Sequence, residues 1–514
     1  MPKKDQKFWK SIRKINKKTT RSSLNNSIKD GAAYSVMNGF GKNYLSTFAV
    51  ALQSTNLQLG LLNSLPMLVS SIAQLVGARI SDYTGKRMKL ILQTVLWQGL
   101  SWIPLFFLPF FFKSIGPWFL ILFVSLNLML EALSTPAWNS LLGDIVKENE
   151  RGKFFGKRNK IIGVVAFVSV ITGGVILSFF ENINVWIGFF ILFTIAGLSR
   201  AASYYYMSRI YEPNYKIKVK KKYKLTQFLD CLKEKNFGNF VKFNTYLKFA
   251  VNIASPFFVP FLLLTVGFNY LQLTAILSAS TITSFLVMLY WGKNADLFGN
   301  RKIMIICGFL IPMAPMLWVL SNNFFYIFCV QCLSGFAWSG YNLASSNFVY
   351  DTVAPEKRAR GFAFYNFTWG VSMFIASMVG VTLTYILPKA GINSLIGSNY
   401  EIIFLISALL RLIIMLVYVR SFKEVRKVKS AETHVLFLKL VAVRPLSGIV
   451  VNTMGSLDFT YNQVKKHYRK PYDFTSEQLK KHYLKPYEFT SKQLQKPYWF
   501  VKNNVNFDEL LKKK

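Results

Sequence analysis

Gly77-Ala-Arg-Ile-Ser-Asp82-Tyr-Thr-Gly85-Lys86-Arg87 lies between two long apolar segments, and the chain nearly repeats it as Gly292-Lys-Asn-Ala-Asp296-Leu-Phe-Gly299-Asn-Arg301-Lys302. Asp82 and Asp296, Gly85 and Gly299, and Arg87 and Arg301 are all 214 residues apart, as are the flanking Leu57-Gln58-Leu59 and Leu271-Gln272-Leu273. One offset held without a gap indicates a duplicated half, a recurring feature of membrane transporters. In each copy the glycine permits a tight turn between helices, with an acidic and a basic side chain beside it. A second pair agrees: Asp144 precedes Arg151, and Asp351 precedes Arg358, by seven residues, each after a long apolar run.

The apolar runs set the fold class. Of 514 residues, 52% are hydrophobic, and the mean hydropathy is +0.30. Runs of about 20 residues, enough to cross a bilayer's hydrocarbon core, are read at 31–53, 57–80, 88–112, 117–142, 155–179 and 184–206. They resume at 240–265, 270–291, 303–320, 323–349, 361–387 and 401–420. The expectation is an all-α integral membrane protein of about twelve transmembrane helices in two pseudo-symmetric six-helix halves. Residues 1–28 form a basic arm, 29–206 the first half, 207–238 a basic linker, 239–426 the second half and 427–514 a tail.

A net charge of +39 in a soluble chain would point to nucleic acid. Here the Lys and Arg residues gather in alternate loops, at 84–89, 147–160, 213–235, 299–302 and 356–360. The intervening loops near 54–56, 181–183, 267–270 and 321–323 carry almost none. That asymmetry places both termini in the cytosol, in the plasma membrane, with the basic segments against anionic inner-leaflet lipid and no nucleic-acid partner. The linker carries Lys216, Lys218, Lys220, Lys221, Lys222 and Lys224 before an amphipathic stretch at 225–237.

The tail differs in character. Residues 435–451 are apolar but contain Lys439, Arg444 and Pro445, and are not read as a thirteenth span. A 15-residue repeat follows, Lys465 to Ser476 returning as Lys480 to Ser491; its Lys, Tyr and Pro content suits a largely disordered basic tail. Residues 1–28 lack an apolar core, so no cleavable signal peptide is expected. Cys231, Cys307, Cys329 and Cys332 form no disulfide framework, and the Cys329–Cys332 spacing falls in an apolar run, where packing is the plain reading. His434, His467 and His482 all lie in the tail, so neither a metal site nor a cofactor is expected within the membrane.

These stretches resemble the major facilitator superfamily, whose loop between helices 2 and 3 reads G-x-x-x-D-x-x-G-x-[RK]-[RK]. The second copy fits. The first has Ala78 where the leading glycine falls, with Gly77 one place early. The resemblance covers residues 28 to 425. It implies that Asp82, Gly85, Arg87, Asp144 and Arg151, with Gly292, Asp296, Gly299, Arg301, Asp351 and Arg358, build a cytosolic gate. There each loop aspartate meets the positive N-terminal end of a neighbouring helix. The plainer alternative is that these loops only fix topology.

The resemblance also implies that helices 1, 4, 7 and 10 line a central cavity. Helical spacing puts Tyr34, Asn38 and Lys42 on one face of the first, and Asn127, Glu131, Thr135 and Trp138 on one face of the fourth. The seventh carries Asn244, Lys248 and Asn252, and the tenth Gln331, Trp338, Tyr341 and Asn342. Glu131 reads as the one acidic residue away from a helix end, loop or tail, and such a group at membrane depth marks a solute path or proton relay. Its bland alternative is a structural ion pair with Lys42, which matches it in depth. Lys248 reads as near enough to the cytosol to snorkel. Trp138 and Trp338 suit either stacking on an organic solute or packing. Arg411, mid-span in the last helix, has no reading.

The expected function is secondary active transport of a small organic solute by alternating access, with proton-coupled symport as its coupled form, by a monomer. The alternative is a proton-coupled drug or metabolite efflux antiporter, though Gly173-Gly174 lacks the proline of the family's antiporter signature. A non-transporting receptor or scaffold is the rival from another class. An enzyme is not expected, because no nucleophile sits beside a base and no phosphate-binding loop is present.

Overall fold

The computed structural model describes residues 17–111, 115–146, 151–213, 235–353, 358–389, 398–418, 420–426 and 428. All fall within one compact unit, Met1–Pro445. The sequence readings on residues 1–16, most of the 207–238 linker and the repeats lie outside the described residues.

Among the described residues twelve helical passes follow in chain order. The first half holds α1 (Lys17–Phe40, continued through a 3-10 turn at Lys42–Tyr44 by Leu45–Ala51), α2 (Asn56–Thr84) and α3 (Arg87–Leu100 and Ile103–Phe111). It continues with α4 (Gly116–Ile145), α5 (Arg151–Glu181) and α6 (Val185–Ser208). The second half holds α7 (Lys235–Ala254, prolonged by a 3-10 turn at Ser255–Phe257, by Phe258–Pro260 and by a π turn at Phe261–Thr265) and α8 (Tyr270–Phe298). Then come α9 (Asn300–Leu310 and Met313–Trp318), α10 (Phe324–Thr352), α11 (Arg358–Lys389) and α12 (Asn399–Tyr418). Ten of these passes are long and apolar enough to cross a membrane. The other two, α1 and α10, carry more polar residues along their length. Large apolar side chains such as Trp97, Phe179, Leu198 and Leu289 are exposed on the outside; a protein facing water on all sides rarely shows so many.

The duplication has local mechanics. Thr55 opens α2 with a capping box: its hydroxyl accepts from the Gln58 N–H at 3.3 Å, and the Gln58 side chain accepts from the Thr55 N–H at 2.8 Å. Asn269 and Gln272 open α8 in the same way, at 2.8 and 3.1 Å. The repeated Leu-Gln-Leu is therefore a helix-start signal, satisfying donors that the first turn leaves free. At the other end of α2, Gly85 adopts φ 64°; at the end of α8, Gly299 adopts φ 92°. Both are left-handed values that glycine tolerates.

Packing repeats as well. Within the halves α1 lies on α5 and α6, and α2 on α4; α7 lies correspondingly on α11 and α12, and α8 on α10. Between the halves α2 packs on α11 and α5 on α8. Each half has two apolar cores, one toward each end. In the first half these centre on Phe48, Trp102 and Phe193, and on Ile91, Ala137 and Leu141. In the second they centre on Phe257, Phe261 and Phe404, and on Phe240, Trp291 and Phe348. Between the two cores of each half runs a polar layer.

One boundary differs from the sequence reading. α1 begins by Lys17, not near residue 31, so part of the 1–28 arm is helix. Ser23 and Ser27 are buried, Ser23 accepts from the Tyr211 N–H at 3.1 Å, and the Ser27 carbonyl accepts from Arg158 at 3.3 Å. Polar side chains tied to neighbouring helices leave no trace in hydropathy.

Candidate functional site

In the first half the polar layer is a closed network around Glu131. Its carboxylate accepts from the Tyr34 hydroxyl at 2.5 Å, from Gln98 Nε2 at 3.0 Å and from the Lys42 ammonium. Lys42 stands on the 3-10 turn that breaks α1, which turns its ammonium from the helix wall toward α4. Gln98 in turn donates to Asn127 Oδ1 at 3.0 Å and accepts from Arg200 Nε at 2.8 Å. Arg200 reaches the Ser203 hydroxyl at 2.8 Å, and Ser203 donates to Asp30 at 2.6 Å. Two carboxylates and two cations thus share one bonded chain from α1 through α4 and α3 to α6. Despite their mid-helix positions, the Glu131 and Lys42 side chains are 27% and 17% exposed. Protein covers the pair only in part.

Sequence reasoning missed half of this network. Asp30 is buried inside α1 and does not mark the helix's end, so Glu131 is not the one interior carboxylate. Arg200 and Gln98 were not singled out. Other candidates land where expected or nearby. Asn38 has a buried Oδ1 with no partner, Asn127 donates to the Ser101 hydroxyl at 2.9 Å, and Thr135 bonds the Glu131 carbonyl at 2.9 Å. Trp138 does not join Glu131: it packs in the core around Ile91 and takes Arg158 over its ring at 5.8 Å.

The second half has a different layer. Lys248 lies over the Trp338 ring at 4.3 Å and within 5.9 Å of the rings of Tyr341 and Trp369. It does not snorkel. Asn252 bonds the Lys248 carbonyl at 2.7 Å. Tyr341, wholly buried, donates to Asn244 at 2.8 Å, so it is core as much as cavity wall. Asn342 is exposed and makes no described hydrogen bond. Arg411 is buried in α12, donating to the Ser407 hydroxyl at 2.9 and 3.1 Å and to the Ile311 carbonyl at 3.3 Å. Among the described residues no group of His, Cys, Asp and Glu could hold a metal.

The loop stretches form clasps within each half. Arg87 is wholly buried, 2.6 Å from Asp144 and 3.6 Å from Glu212, and donates to Ser140 at 2.9 Å. In the second half Asp351 accepts from Asn300 at 2.7 Å and from Arg426 at 2.7 Å, while Arg426 also reaches Asp296 at 3.2 Å. The Asp351 hydrogen bond and charge push the Arg426 pKa up. Arg301 donates to the Phe422 carbonyl at 2.7 Å. At the starts of α3 and α9 the described carboxylates are those of Glu212 and Glu424, not Asp296. Glu212 accepts from the Met88 N–H at 3.3 Å and Glu424 from the Arg301 N–H at 2.8 Å. Asp296 is 76% exposed and binds Arg426 instead. The segments leaving α6 and α12 fold back under α3 and α9, bringing carboxylates to free N–H groups. Gly292 lies inside α8, not in the turn. The side chains of Asp82, Arg151 and Arg358 lie outside the described residues.

Contacts between halves gather at the ends away from these clasps. The Tyr44 hydroxyl lies 3.4 Å from Thr274 Oγ1, the Tyr400 hydroxyl donates to Asn56 at 2.9 Å, and Phe189 meets Tyr270 edge-on at 6.2 Å. Gly173 and Gly174 are the close-approach positions there: a Cβ on the first would run into Tyr44, and on the second into Thr274. Nearer the clasps, Asn366 donates to Gln74 at 3.3 Å.

Known proteins agree with this architecture. The family profile described as Major Facilitator Superfamily matches residues 32–247 and 243–470. An uncharacterised MFS-type transporter of Methanocaldococcus jannaschii is 24% identical over 345 residues, 66% of this chain and 85% of that protein. A fungal MFS-type transporter of Metarhizium majus is 24% identical over 94 residues, only 16% of its own length. Among solved structures, the nucleoside transporter NupG superposes with a TM-score of 0.58 at 15% identity, covering 79% of this chain and 99% of that one. A bacterial homologue of the human lysosomal transporter Spinster, inward-facing and occupied, gives 0.60 at 14% identity over 79% and 97%. With its two matched six-helix halves and a family match over most of its length, the chain belongs to the Major Facilitator Superfamily and is a multi-pass membrane transporter.

Proposed function

We propose that the protein moves a small organic solute across the plasma membrane by alternating access, in symport with protons, as a monomer with both termini in the cytosol. The observation that carries this is Glu131, a mid-helix carboxylate only partly covered by protein and held by Lys42, Tyr34 and Gln98. Inserting a charged side chain at bilayer depth costs at least about 2.5–3.5 kcal/mol, and apolar packing would seal two helices as well. A pair that protein covers only in part is suited to being broken. Protonating Glu131, or offering Lys42 another anion, releases the pair, and Lys42 stands on the break in α1, so release acts on the helix's weakest point. Rocking along the α2–α11 and α5–α8 seams then exposes the polar layers to one side and the other. With the basic loops cytosolic and in contact with anionic inner-leaflet lipid, the bonded seam at Tyr44, Thr274, Asn56 and Tyr400 is the outer one.

Efflux by antiport would use the same carboxylate with the solute running the other way. Import is favoured because Gly173-Gly174 carries no adjacent proline and serves as a close-packing site. A receptor on this fold has no use for an accessible carboxylate. The solute classes named for structural neighbours include a nucleoside and a peptide, so one fold serves several and the class must be read from the site.

The test is proton entry into proteoliposomes holding a pH-sensitive dye, with solutes of a metabolite library added outside. The wild type should take up protons with its solute. Glu131→Gln should stop proton uptake and accumulation while still exchanging labelled solute. Accumulation by Glu131→Gln against a gradient would remove Glu131 as the proton site, and no solute movement at all would remove the transport reading.

A further inference from the structure

The two halves are matched in backbone but not in charge at their centres: the first balances two carboxylates against two cations, and the second holds the cations Lys248 and Arg411. Tyr34 and Lys248 are 214 residues apart, as are Asn38 and Asn252, so Lys248 stands on α7 where Tyr34 stands on α1. Glu131 and Trp338 are 207 residues apart, the offset that also links Asp144 with Asp351 and Arg151 with Arg358. Trp338 therefore stands on α10 where the carboxylate stands on α4. In the first half the α1 side chain bonds a carboxylate; in the second, the equivalent position is a cation over an indole.

Lys248 thus lacks the anion that its place in the fold supplies elsewhere. Among the described residues it makes no ion pair, and a second buried cation, Arg411, acts on it with the same sign. Arg200, at the matching level of α6, has Asp30 and Glu131 nearby; among the described residues Arg411 bonds only a hydroxyl and a carbonyl. Attraction to the Trp338, Tyr341 and Trp369 rings offsets only part of the cost of removing an ammonium from water. Another donor is also waiting: the Trp369 Nε1 is buried and has no hydrogen-bond partner among the described residues, which a folded protein rarely tolerates unless something else fills the site. One ammonium, one neutral N–H and three aromatic faces make a receptor for a single negative group on an apolar body.

We propose that the Lys248–Trp338–Trp369 cluster binds the carboxylate of a small organic acid, so that the transported solute is an aromatic or apolar monocarboxylate. A carboxylate is the group that stands beside Tyr34 in the first half, and its two oxygens can accept from one ammonium and one indole N–H. The proposal rests on the transporter reading and names the solute class for it. It also assigns a purpose to Arg411, which sets a positive field without occupying the site.

The test uses the full chain, purified in detergent, with benzoate, phenylacetate and indole-3-acetate as probes, each against its neutral amide. At least one acid at millimolar concentration should quench tryptophan fluorescence and raise the unfolding temperature, as binding to the folded state must, while its amide does neither. Lys248→Met should weaken acid binding by about tenfold or more, and Lys248→Arg should retain it. Trp338→Glu carries the test if Lys248→Met does not fold: it restores the carboxylate of the other half, pairs with Lys248 and should abolish acid binding in a stable protein. Amides binding as well as acids, undiminished binding in Lys248→Met or Trp338→Glu, or no binding by any acid would overturn the proposal. Uptake of neutral solutes alone would overturn the carboxylate class and leave transport standing. Acid binding with no uptake of any solute would do the reverse.

Discussion

Arg87, with no exposed surface, lies 2.6 Å from Asp144, whose side chain is 49% exposed, so the two ends of this ion pair sit in different solvents. Removing the arginine leaves carboxylates that water can reach. Removing the aspartate leaves a guanidinium buried among Ser140, Glu212 and the Pro213 carbonyl. Leaving a buried guanidinium with Glu212, 3.6 Å away, as its described carboxylate approaches the cost of stranding a buried charge, about 3–5 kcal/mol, whereas losing a hydrogen bond to a charged group costs about 1.5–3. Asp144→Ala should therefore lower the unfolding temperature more than Arg87→Met does. Equal losses would mean that the clasp is not asymmetric in its solvation.

The second clasp sets where the chain can be cut. Phe422, Glu424 and Arg426 hold Arg301, the start of α9, Asp296 and Asp351. A chain ending after residue 430 keeps all of these contacts and should fold and bind solute. One ending after residue 418 loses them and should unfold at lower temperature or elute as aggregate. Comparable stability of the two truncations, measured by thermal unfolding and gel filtration, would reduce the segment after α12 to a passive extension.

Much of this was legible in the sequence, for physical reasons that also explain the gaps. The twelve passes followed from apolar runs, and the halves from a constant offset. The Glu131–Lys42 pairing followed from matched depth on neighbouring helices. Asp30 was lost because polar residues tied to α5 and α6 read like a solvated arm. Trp138 shares a face with Glu131, but seven residues along a helix is about 10 Å, enough to move it from the polar layer into the next core. Arg200 and Arg411 were both visible as charges inside apolar runs, and only their partners on α3 and α9 give them meaning. The clasp on α9 had a readable sign as well: Glu212 and Arg426 are 214 residues apart, one acid and one base at matching exits from α6 and α12.

Coupling between Lys42 and Glu131 is measurable without knowing the solute. Lys42→Ala leaves Glu131 with Tyr34 and Gln98 but no adjacent ammonium, while Lys42→Ala with Glu131→Ala leaves no stranded charge. The double variant should thus be more stable than the summed single losses predict, by about 0.5–3 kcal/mol, the range for residues in one bonded network. Additive losses in thermal unfolding would show that the two charges act independently.

The seam at Tyr44 and Thr274, outer in the topology proposed above, offers the sharpest mechanical prediction. Gly174 of α5 lies so close to Thr274 of α8 that a Cβ would meet that side chain, and the Tyr44 hydroxyl closes on the same threonine. Both contacts join the two halves, so they exist only while the seam is shut. Gly174→Val therefore penalises the shut state, and overpacking of this kind costs about 1–3 kcal/mol. A cost confined to one of two states shifts their ratio by roughly 5- to 150-fold. With native cysteines removed and a single cysteine placed at position 38, an impermeant maleimide added outside should label Gly174→Val faster than the unmodified protein. Labelling from the cytosolic side should slow. Gly174→Ala, whose smaller side chain Thr274 can more nearly accommodate, should fall between the two. Identical outside labelling in all three would mean that the α5–α8 contact does not part during the transport cycle, and that the halves move about another line.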